Sequence, residues 1–178
     1  MKSHFFAYIA RMRYITRWAL MRNTFSENVQ EHSHMVAVLA HALGVIRRDI
    51  FRKPCDVNAL ATAALYHDAS EILTGDLPTP IKYHNAEIMS AYHAVEDLAV
   101  QKLLGMLPPE LRATYADVLS EDKDGDIYPL VKAADKLSAY IKCIEERKAG
   151  NNEFLSAEAQ TRAALEASPL PEVQYFLE

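Results

Sequence analysis

Apolar residues recur along this chain at intervals of three, four and seven, which is the period of a helix with one buried face. Two segments show the pattern most clearly: Val29, Val36, Leu39, Leu43 and Ile46, and later Leu130, Ala134, Leu137, Ile141 and Ile144. Only 5 of the 178 residues are glycine, so few positions interrupt such helices. The sequence predicts an all-α fold, a single-domain helical bundle of about six to eight helices spanning residues 1–178.

Local signals place the ends of these helices. Asn28 with Glu31 resembles a capping box, Asp56 is a favourable N-cap residue, and Gly75 is a favourable end for the helix that begins at Asp56. The expected helices cover about residues 3–14, 28–46, 56–75, 85–105, 110–119, 129–149, 153–167 and 173–177. A polar, acidic loop is expected at 120–126.

The charge distribution excludes some classes of protein. The net charge of −5 argues against a protein that coats nucleic acid. The first 26 residues nevertheless contain no acidic residue and five basic ones: Lys2, Arg11, Arg13, Arg17 and Arg22. This basic segment could attract a small anion, although charge alone favours a solvated basic surface.

The sequence also predicts the compartment. Cys55 and Cys143 are too few for a disulfide framework, which favours free thiols in a reducing cytoplasm. No apolar run approaches the roughly 20 residues that a membrane-spanning helix needs. The N-terminal residues lack the features of a signal peptide. A cytoplasmic protein that does not bind membranes is therefore expected.

Two histidines occupy positions where helical spacing predicts aliphatic residues. His32 follows Val29 by three, and His67 continues the spacing of Val57, Leu60 and Ala64. Either histidine alone would more often be a hydrogen-bonded core residue than a ligand. Both are expected to face the interior.

Two aspartates are expected beside these histidines. Asp68 follows His67 on the same expected helix, and Asp135 adjoins the apolar face of a later one. A buried carboxylate requires a positive partner, which could be a lysine, an arginine or a metal ion. Together, His32, His67, Asp68 and Asp135 predict a site for one divalent ion such as Co²⁺, Mn²⁺, Zn²⁺ or Mg²⁺.

The order His, His-Asp, Asp on three helices resembles the HD-domain superfamily of metal phosphohydrolases. Five strings are similar, more narrowly, to the bacterial HD-domain 5′-deoxynucleotidases: RW (17–18), ENVQEHS (27–33), YHDASE (66–71), TGDLPTP (74–80) and ADKL (134–137). The similarity covers nearly the whole chain. It implies hydrolysis of deoxyribonucleoside 5′-monophosphates to deoxynucleosides and phosphate, by attack of a metal-bound water.

The resemblance also implies roles for individual residues. Arg17 would orient the phosphate, Trp18 would pack against the sugar and exclude a 2′-hydroxyl, and Glu71 would act as general acid or base. Without the resemblance, these would be interpreted as a surface arginine, a core aromatic and a solvated glutamate. The implied catalytic residues are Glu71, Arg17 and Asp76. The implied substrate-binding residues are Arg17, Trp18, His32, Asp68, Asp76, Leu77, Pro78, Thr79 and Asp135.

Other properties of the family are implied in the same way. Co²⁺ is the favoured ion, the substrate is a small molecule rather than a nucleic acid polymer, and a homodimer is expected. The chain stops within an amphipathic segment where relatives continue with a short tail, so the chain is expected to be shortened or the tail to be dispensable.

Two other kinds of function remain open at this stage. Other HD-type phosphohydrolases cleave cyclic nucleotides or nucleoside triphosphates, but they often carry further metal ligands or basic residues. A non-catalytic, metal-stabilised binding protein would not need Arg17, Glu71 and Asp76. Because the sequence has a single His-Asp pair, a small monophosphate is favoured over the substrates of the other HD-type phosphohydrolases.

Overall fold

The computed structural model describes residues 4–82, 84–120 and 125–178. The helices are α1 Phe5–Ile9, α2 Val29–Val45, α3 Val57–Tyr66, α4 Glu71–Thr74, α5 Thr79–Lys82, α6 Ala86–Gly105, α7 Pro109–Leu119, α8 Tyr128–Lys148, α9 Leu155–Glu166 and α10 Pro171–Leu177. Across these ranges, β-type pairing is limited to one isolated bridge between Thr16 and Asn28. The all-α prediction is confirmed. Lys2, Ser3 and most of the expected acidic loop, residues 121–124, lie outside the described residues.

The predicted helix starts are confirmed by their hydrogen bonds. The Asn28 side chain accepts from the Glu31 backbone N–H, and the Glu31 carboxylate accepts from the Asn28 backbone N–H. Asp56 accepts from the backbone N–H groups of Asn58 and Ala59 at the start of α3. An N-cap of this kind stabilises a helix by about 1 kcal/mol.

The prediction of one helix from residue 56 to Gly75 is wrong. Helix α3 ends at Tyr66, residues 67–70 form turns, and α4 begins at Glu71. The His67 ring explains the break, because its Nδ1 lies 2.7 Å from the Ala64 carbonyl that a continuing helix would offer to the backbone of Asp68. His67 and Asp68 therefore lie in a turn and not on a helix.

The Pro-containing segment after α4 also differs from the expected loop. Gly75 has a φ of +75°, which glycine adopts without strain, and it terminates α4. Residues 75–78 are irregular, but Thr79 begins the short helix α5, in which Pro80 lies in the first turn, where a proline is tolerated.

Helix α2 lies at the centre of the packing and contacts both α3 and α8. Its buried face includes His32, Val36, Leu39 and Leu43, so the predicted inward face is confirmed. The principal core cluster joins this face to residues of α3, α8, α9 and α10, among them Leu60, Leu130, Leu137, Leu165 and Val173. A second cluster, around Phe5 and Leu103, packs α1 and α6 beside the turn at Ala69.

Cys55 and Cys143 are free thiols, as expected. None of the described helices combines the length and apolar character needed to cross a membrane.

Gly44 permits the close approach of α2 to α3. A Cβ at this position would lie 2.9 Å from Leu60 Cδ2 and 3.0 Å from Val57 Cγ1, and Leu60 is fully buried. We expect Gly44→Val to lower the free energy of unfolding by about 1–3 kcal/mol through overpacking, measured by urea unfolding. Gly105→Val is the matched control, since nothing lies within 4 Å of a Cβ there. Equal losses at both positions would contradict the packing argument.

Candidate metal centre and active site

His32 projects from α2 into the interior and is completely buried. Its Nδ1 lies 3.2 Å from the Ser138 hydroxyl on α8, which fixes the orientation of the ring. Its Nε2 lies 3.0 Å from Asp135 Oδ1 and 3.6 Å from Asp68 Oδ2. One nitrogen is therefore held by the fold and the other faces two carboxylates.

His67 has the same arrangement. Its Nδ1–H donates a hydrogen bond to the Ala64 carbonyl. In the neutral ring, Nε2 is then unprotonated and carries a free lone pair. That Nε2 lies 3.1 Å from Asp68 Oδ2, and the side chain is only 2% exposed. A backbone hydrogen bond to one ring nitrogen is typical of histidines that bind metal through the other.

These groups fit a divalent metal ion. Ligand atoms of His32, His67 and Asp135 lie within 4.8 Å of one another. Among the described residues, neither histidine Nε2 forms a well-directed hydrogen bond, although both are buried. Two imidazoles with carboxylates suit Zn²⁺, Co²⁺ or Mn²⁺. The described chain therefore provides a candidate metal-binding group that contains three of the four ligands predicted from the sequence, and Asp68, the fourth, is not part of this group.

Histidine rings and a guanidinium lie beside the two carboxylates of the cluster and favour their ionised form. Burial would raise the pKa of Asp68, but the His67 and His32 rings and the Arg17 guanidinium hold it well below its usual range. Burial opposes ionisation of Asp135 too, yet its contact with His32 lowers the pKa to about 2. Both carboxylates are therefore ionised at neutral pH, the form in which they bind a cation.

Arg17 reaches this cluster from the loop before α2. Its Nη1 lies 3.6 Å from Asp68 Oδ2, and its Nε donates to Glu27 Oε2 at 3.1 Å. Burial would lower the pKa of Arg17, but the carboxylates of Asp68 and Asp135 raise it. A guanidinium that is only 12% exposed is thus held beside the candidate ligands in its charged form.

Trp18 follows Arg17 in a left-handed backbone conformation, with φ of +59°. This conformation is strained for a bulky residue, and strained residues of this kind cluster at functional sites. The indole Nε1–H donates to Glu27 Oε2 at 2.9 Å, and the ring packs on Phe154 with centroids 5.2 Å apart. One carboxylate, Glu27, therefore orients both Arg17 and Trp18.

Glu71 is the first residue of α4 and is 7% exposed. Its Oε2 has no hydrogen-bond partner among the described residues. Burial, together with the negative charges of Asp68 and Asp76, raises the pKa of Glu71 well above its usual range. The side chain therefore holds a proton more firmly than an ordinary carboxyl, and it is able to donate that proton.

Asp76 lies in the irregular segment after α4. Burial raises the pKa of Asp76, although the Arg17 guanidinium opposes this shift. Leu77 and Pro78 are partly buried and Thr79 is exposed. The contribution of the 76–79 segment to the sugar side of the pocket stays a prediction.

Two residues of the site, Glu27 and Ser138, were not predicted from the sequence. Ser138 follows Asp135 by three on α8, so the helical spacing that identified His32 could have identified it. Glu27 belongs to the string ENVQEHS, but its contacts with Arg17 and Trp18 cross a loop. Sequence spacing carries no signal for such contacts.

A family model described as 5′-deoxynucleotidase YfbR-like matches residues 4–178. The chain belongs to this YfbR-like family. The family resemblance stated from the sequence motifs is confirmed. Two relatives from Shigella boydii and Escherichia coli, each named 5′-deoxynucleotidase YfbR, are 51% identical over 178 residues, covering 99% of this chain and 89% of theirs.

Solved structures support the HD-type fold of this YfbR-like chain. An HD-domain phosphohydrolase from Listeria innocua has a TM-score of 0.87 and 26% identity, and the match covers 98% of this chain and 84% of that one. A cyanophage S-2L HD phosphohydrolase, described as bound to dA and one catalytic Zn²⁺ ion, has a TM-score of 0.61 at 24% identity, over 94% of this chain and 88% of that one. At that identity, the second match supports the fold alone.

Proposed function

We propose that this chain is a metal-dependent 5′-deoxynucleotidase that hydrolyses deoxyribonucleoside 5′-monophosphates to deoxynucleosides and phosphate. The observation that carries the proposal is the largely buried Arg17 guanidinium, 3.6 Å from Asp68 beside the two histidines. A guanidinium fork matches two phosphate oxygens. In a member of the YfbR-like family, this combination suits a phosphate monoester whose oxygens contact both the cation and the arginine.

His32, His67, Asp68 and Asp135 would hold the metal ion. When bound, the ion supplies a Lewis acid that polarises the phosphate and lowers the pKa of a water molecule. Co²⁺ is the ion that we favour from the family resemblance, with Mn²⁺, Zn²⁺ or Mg²⁺ as alternatives. The nitrogen and oxygen donors of the four side chains are compatible with each of these ions.

The remaining roles belong to side chains around the cluster. Arg17, oriented by Glu27, would bind and orient the phosphate oxygens and offset their charge. Glu71 would donate its proton to the leaving 5′-oxygen, which requires a carboxyl that stays protonated near neutral pH. Trp18 would pack against the deoxyribose, and Asp76 with Leu77, Pro78 and Thr79 would complete the pocket.

The substrate preference can be tested with metal-stripped protein. We expect phosphate release from dAMP to exceed release from AMP by at least about tenfold when Co²⁺, Mn²⁺, Mg²⁺ or Zn²⁺ is restored. The reason is that the aromatic carbons of Trp18 would leave a 2′-hydroxyl without a hydrogen-bond partner. Trp18→Ala should reduce this ratio, and Trp18→Phe should retain most of it because the aromatic wall remains.

Three results would contradict the proposal. Equal rates on dAMP and AMP would remove the role given to Trp18. Faster hydrolysis of a cyclic nucleotide or a nucleoside triphosphate would favour another HD-type phosphohydrolase. Stoichiometric metal with no phosphate release would indicate a non-catalytic binding protein.

We further propose that residues 1–178 act as one domain, and that the protein is a cytoplasmic homodimer. The central position of α2 against α3 and α8 supports one domain. Free thiols are compatible with a reducing compartment. Large exposed apolar side chains, such as Val38 and Leu98, offer surface for a second copy. Sedimentation equilibrium should give twice the chain mass, and a single-chain mass would exclude the dimer.

A further inference from the structure

A polar stripe on α8 continues away from the candidate metal site. Asp135 and Ser138 are followed at helical spacing by Lys142 and Glu146, which lie on the same face. Ser138, Lys142 and Glu146 are 3%, 4% and 0% exposed. The stripe therefore leads from a candidate metal ligand to a buried ion pair that has no role in the chemistry proposed above.

From the described residues, the Glu146 carboxylate receives four hydrogen bonds. The backbone N–H groups of Thr24 and Phe25 donate to it at 2.9 and 3.1 Å, and the Asn151 amide donates at 2.8 Å. The Lys142 ammonium donates to the same carboxylate and to the Phe25 carbonyl. These hydrogen bonds connect α8 to a loop more than 100 residues earlier in the chain.

That loop, residues 17–25, begins with Arg17 and Trp18. Its near end is held by the bridge at Thr16 and by Glu27. Its far end is held by Glu146 and by the Asn151 amide, which also donates to the Arg22 carbonyl at 2.7 Å. Phe154, which follows α8, lies under the Trp18 ring. The near end of the 17–25 loop is thus fixed by a backbone bridge and a side chain, and the far end is fixed by side chains alone.

The charges of Lys142 and Glu146 are costly to bury. Desolvation of two ions is offset only when their hydrogen bonds are complete. The hydrogen bonds of Lys142 and Glu146 are complete only when the 17–25 loop is in place. The backbone N–H groups of Thr24 and Phe25 then donate to Glu146, and the Phe25 carbonyl accepts from Lys142. The pair therefore stabilises one conformation of this loop, including the strained backbone of Trp18.

We infer that Glu146, supported by Lys142, is a positioning residue that holds the 17–25 loop so that Arg17 and Trp18 keep their places at the substrate site. This inference rests on the proposed function for its effect on substrate, but not for its effect on the loop. Glu146 does not touch the metal ligands in any described contact. Its loss should alter the binding of substrate more than the binding of metal.

Trp18 is the only tryptophan in the chain, so its fluorescence reports on the loop directly. In Glu146→Gln, one carboxylate oxygen becomes an NH2 group that would face the backbone N–H of either Thr24 or Phe25, and Lys142 loses its negatively charged partner. We expect the acrylamide quenching constant of Trp18 to rise at least about twofold in the metal-free protein as the loop opens. The KM for dAMP should rise about tenfold to a hundredfold, with a smaller fall in kcat and unchanged metal stoichiometry.

Glu172→Gln is the matched control. Glu172 is also fully buried and paired with an arginine, Arg47 at 2.7 Å, but it lies on α10 away from the 17–25 loop. This variant should lose stability without a change in Trp18 quenching or KM. If Glu146→Gln does not fold, Asn151→Ala removes one hydrogen bond to the loop, at the Arg22 carbonyl, and one to Glu146, and it should produce smaller changes of the same kind.

The decisive comparison is between Glu172→Gln and folded Glu146→Gln, or Asn151→Ala if only that variant folds. Equal Trp18 quenching and equal KM in the two proteins would overturn the inference. If the unaltered protein releases no phosphate from dAMP, the proposed function fails. The quenching comparison would still decide whether Glu146 positions the loop.

Discussion

Asp68→Ala is expected to abolish stoichiometric metal binding and to lower phosphate release from dAMP by at least about a thousandfold. Asp68 Oδ2 lies 3.1 Å from His67 Nε2 and 3.6 Å from both His32 Nε2 and Arg17 Nη1. Its removal leaves the two imidazoles and the guanidinium without the negative charge that all three approach. Metal content after dialysis and initial rates with dAMP measure the two effects.

Asp56→Ala is the control for Asp68→Ala. Asp56 is the N-cap of α3, the helix that ends just before Asp68, and it contacts only backbone N–H groups in the described hydrogen bonds. Its loss should cost about 1 kcal/mol of stability and leave metal binding intact. Retention of one metal ion per chain in Asp68→Ala would show that Asp68 is not a ligand.

Glu71→Gln is expected to keep the metal and to lower kcat for dAMP by about a hundredfold to ten thousandfold. The amide keeps the shape of the side chain but cannot supply a proton to the leaving oxygen. The buried position of Glu71 and the neighbouring carboxylates of Asp68 and Asp76 raise its pKa, which keeps the acid protonated. Steady-state kinetics with metal analysis distinguish this result from ligand loss.

Glu172→Gln again provides a matched control, because Glu172 and Glu71 are both buried and both have an Oε2 without a hydrogen-bond partner in the described part of the chain. Only the Glu71 substitution should change kcat. A kcat within about twofold of the unaltered protein would rule out proton transfer by Glu71 as an important step.

The sequence predicted those parts of the protein that depend on local spacing. The capping box at Asn28, the N-cap at Asp56 and the inward face of α2 follow from residues three or four positions apart, and all three are confirmed. The helical period also placed His32 in the interior before any contact was known. Composition and periodicity together were sufficient for the all-α fold.

The break between α3 and α4 was not predicted, because it depends on competition for one carbonyl. The apolar spacing continues through His67 to Glu71, which favours a longer helix. The His67 ring instead donates to Ala64, and the chain turns. In this turn, His67 Nε2 and Asp68 Oδ2 lie 3.1 Å apart. Both side chains can therefore approach the same point.

The sequence by itself determined the all-α fold, the starts of α2 and α3 and the inward position of His32, because a helix face repeats over short intervals. Only the tertiary structure decided how the 17–25 loop is held. Glu27 orients Arg17 and Trp18 across a turn, and Glu146 binds Thr24 and Phe25 from a helix far along the chain. Contacts between an irregular loop and a distant helix follow no period, so their partners are fixed only when the helices pack.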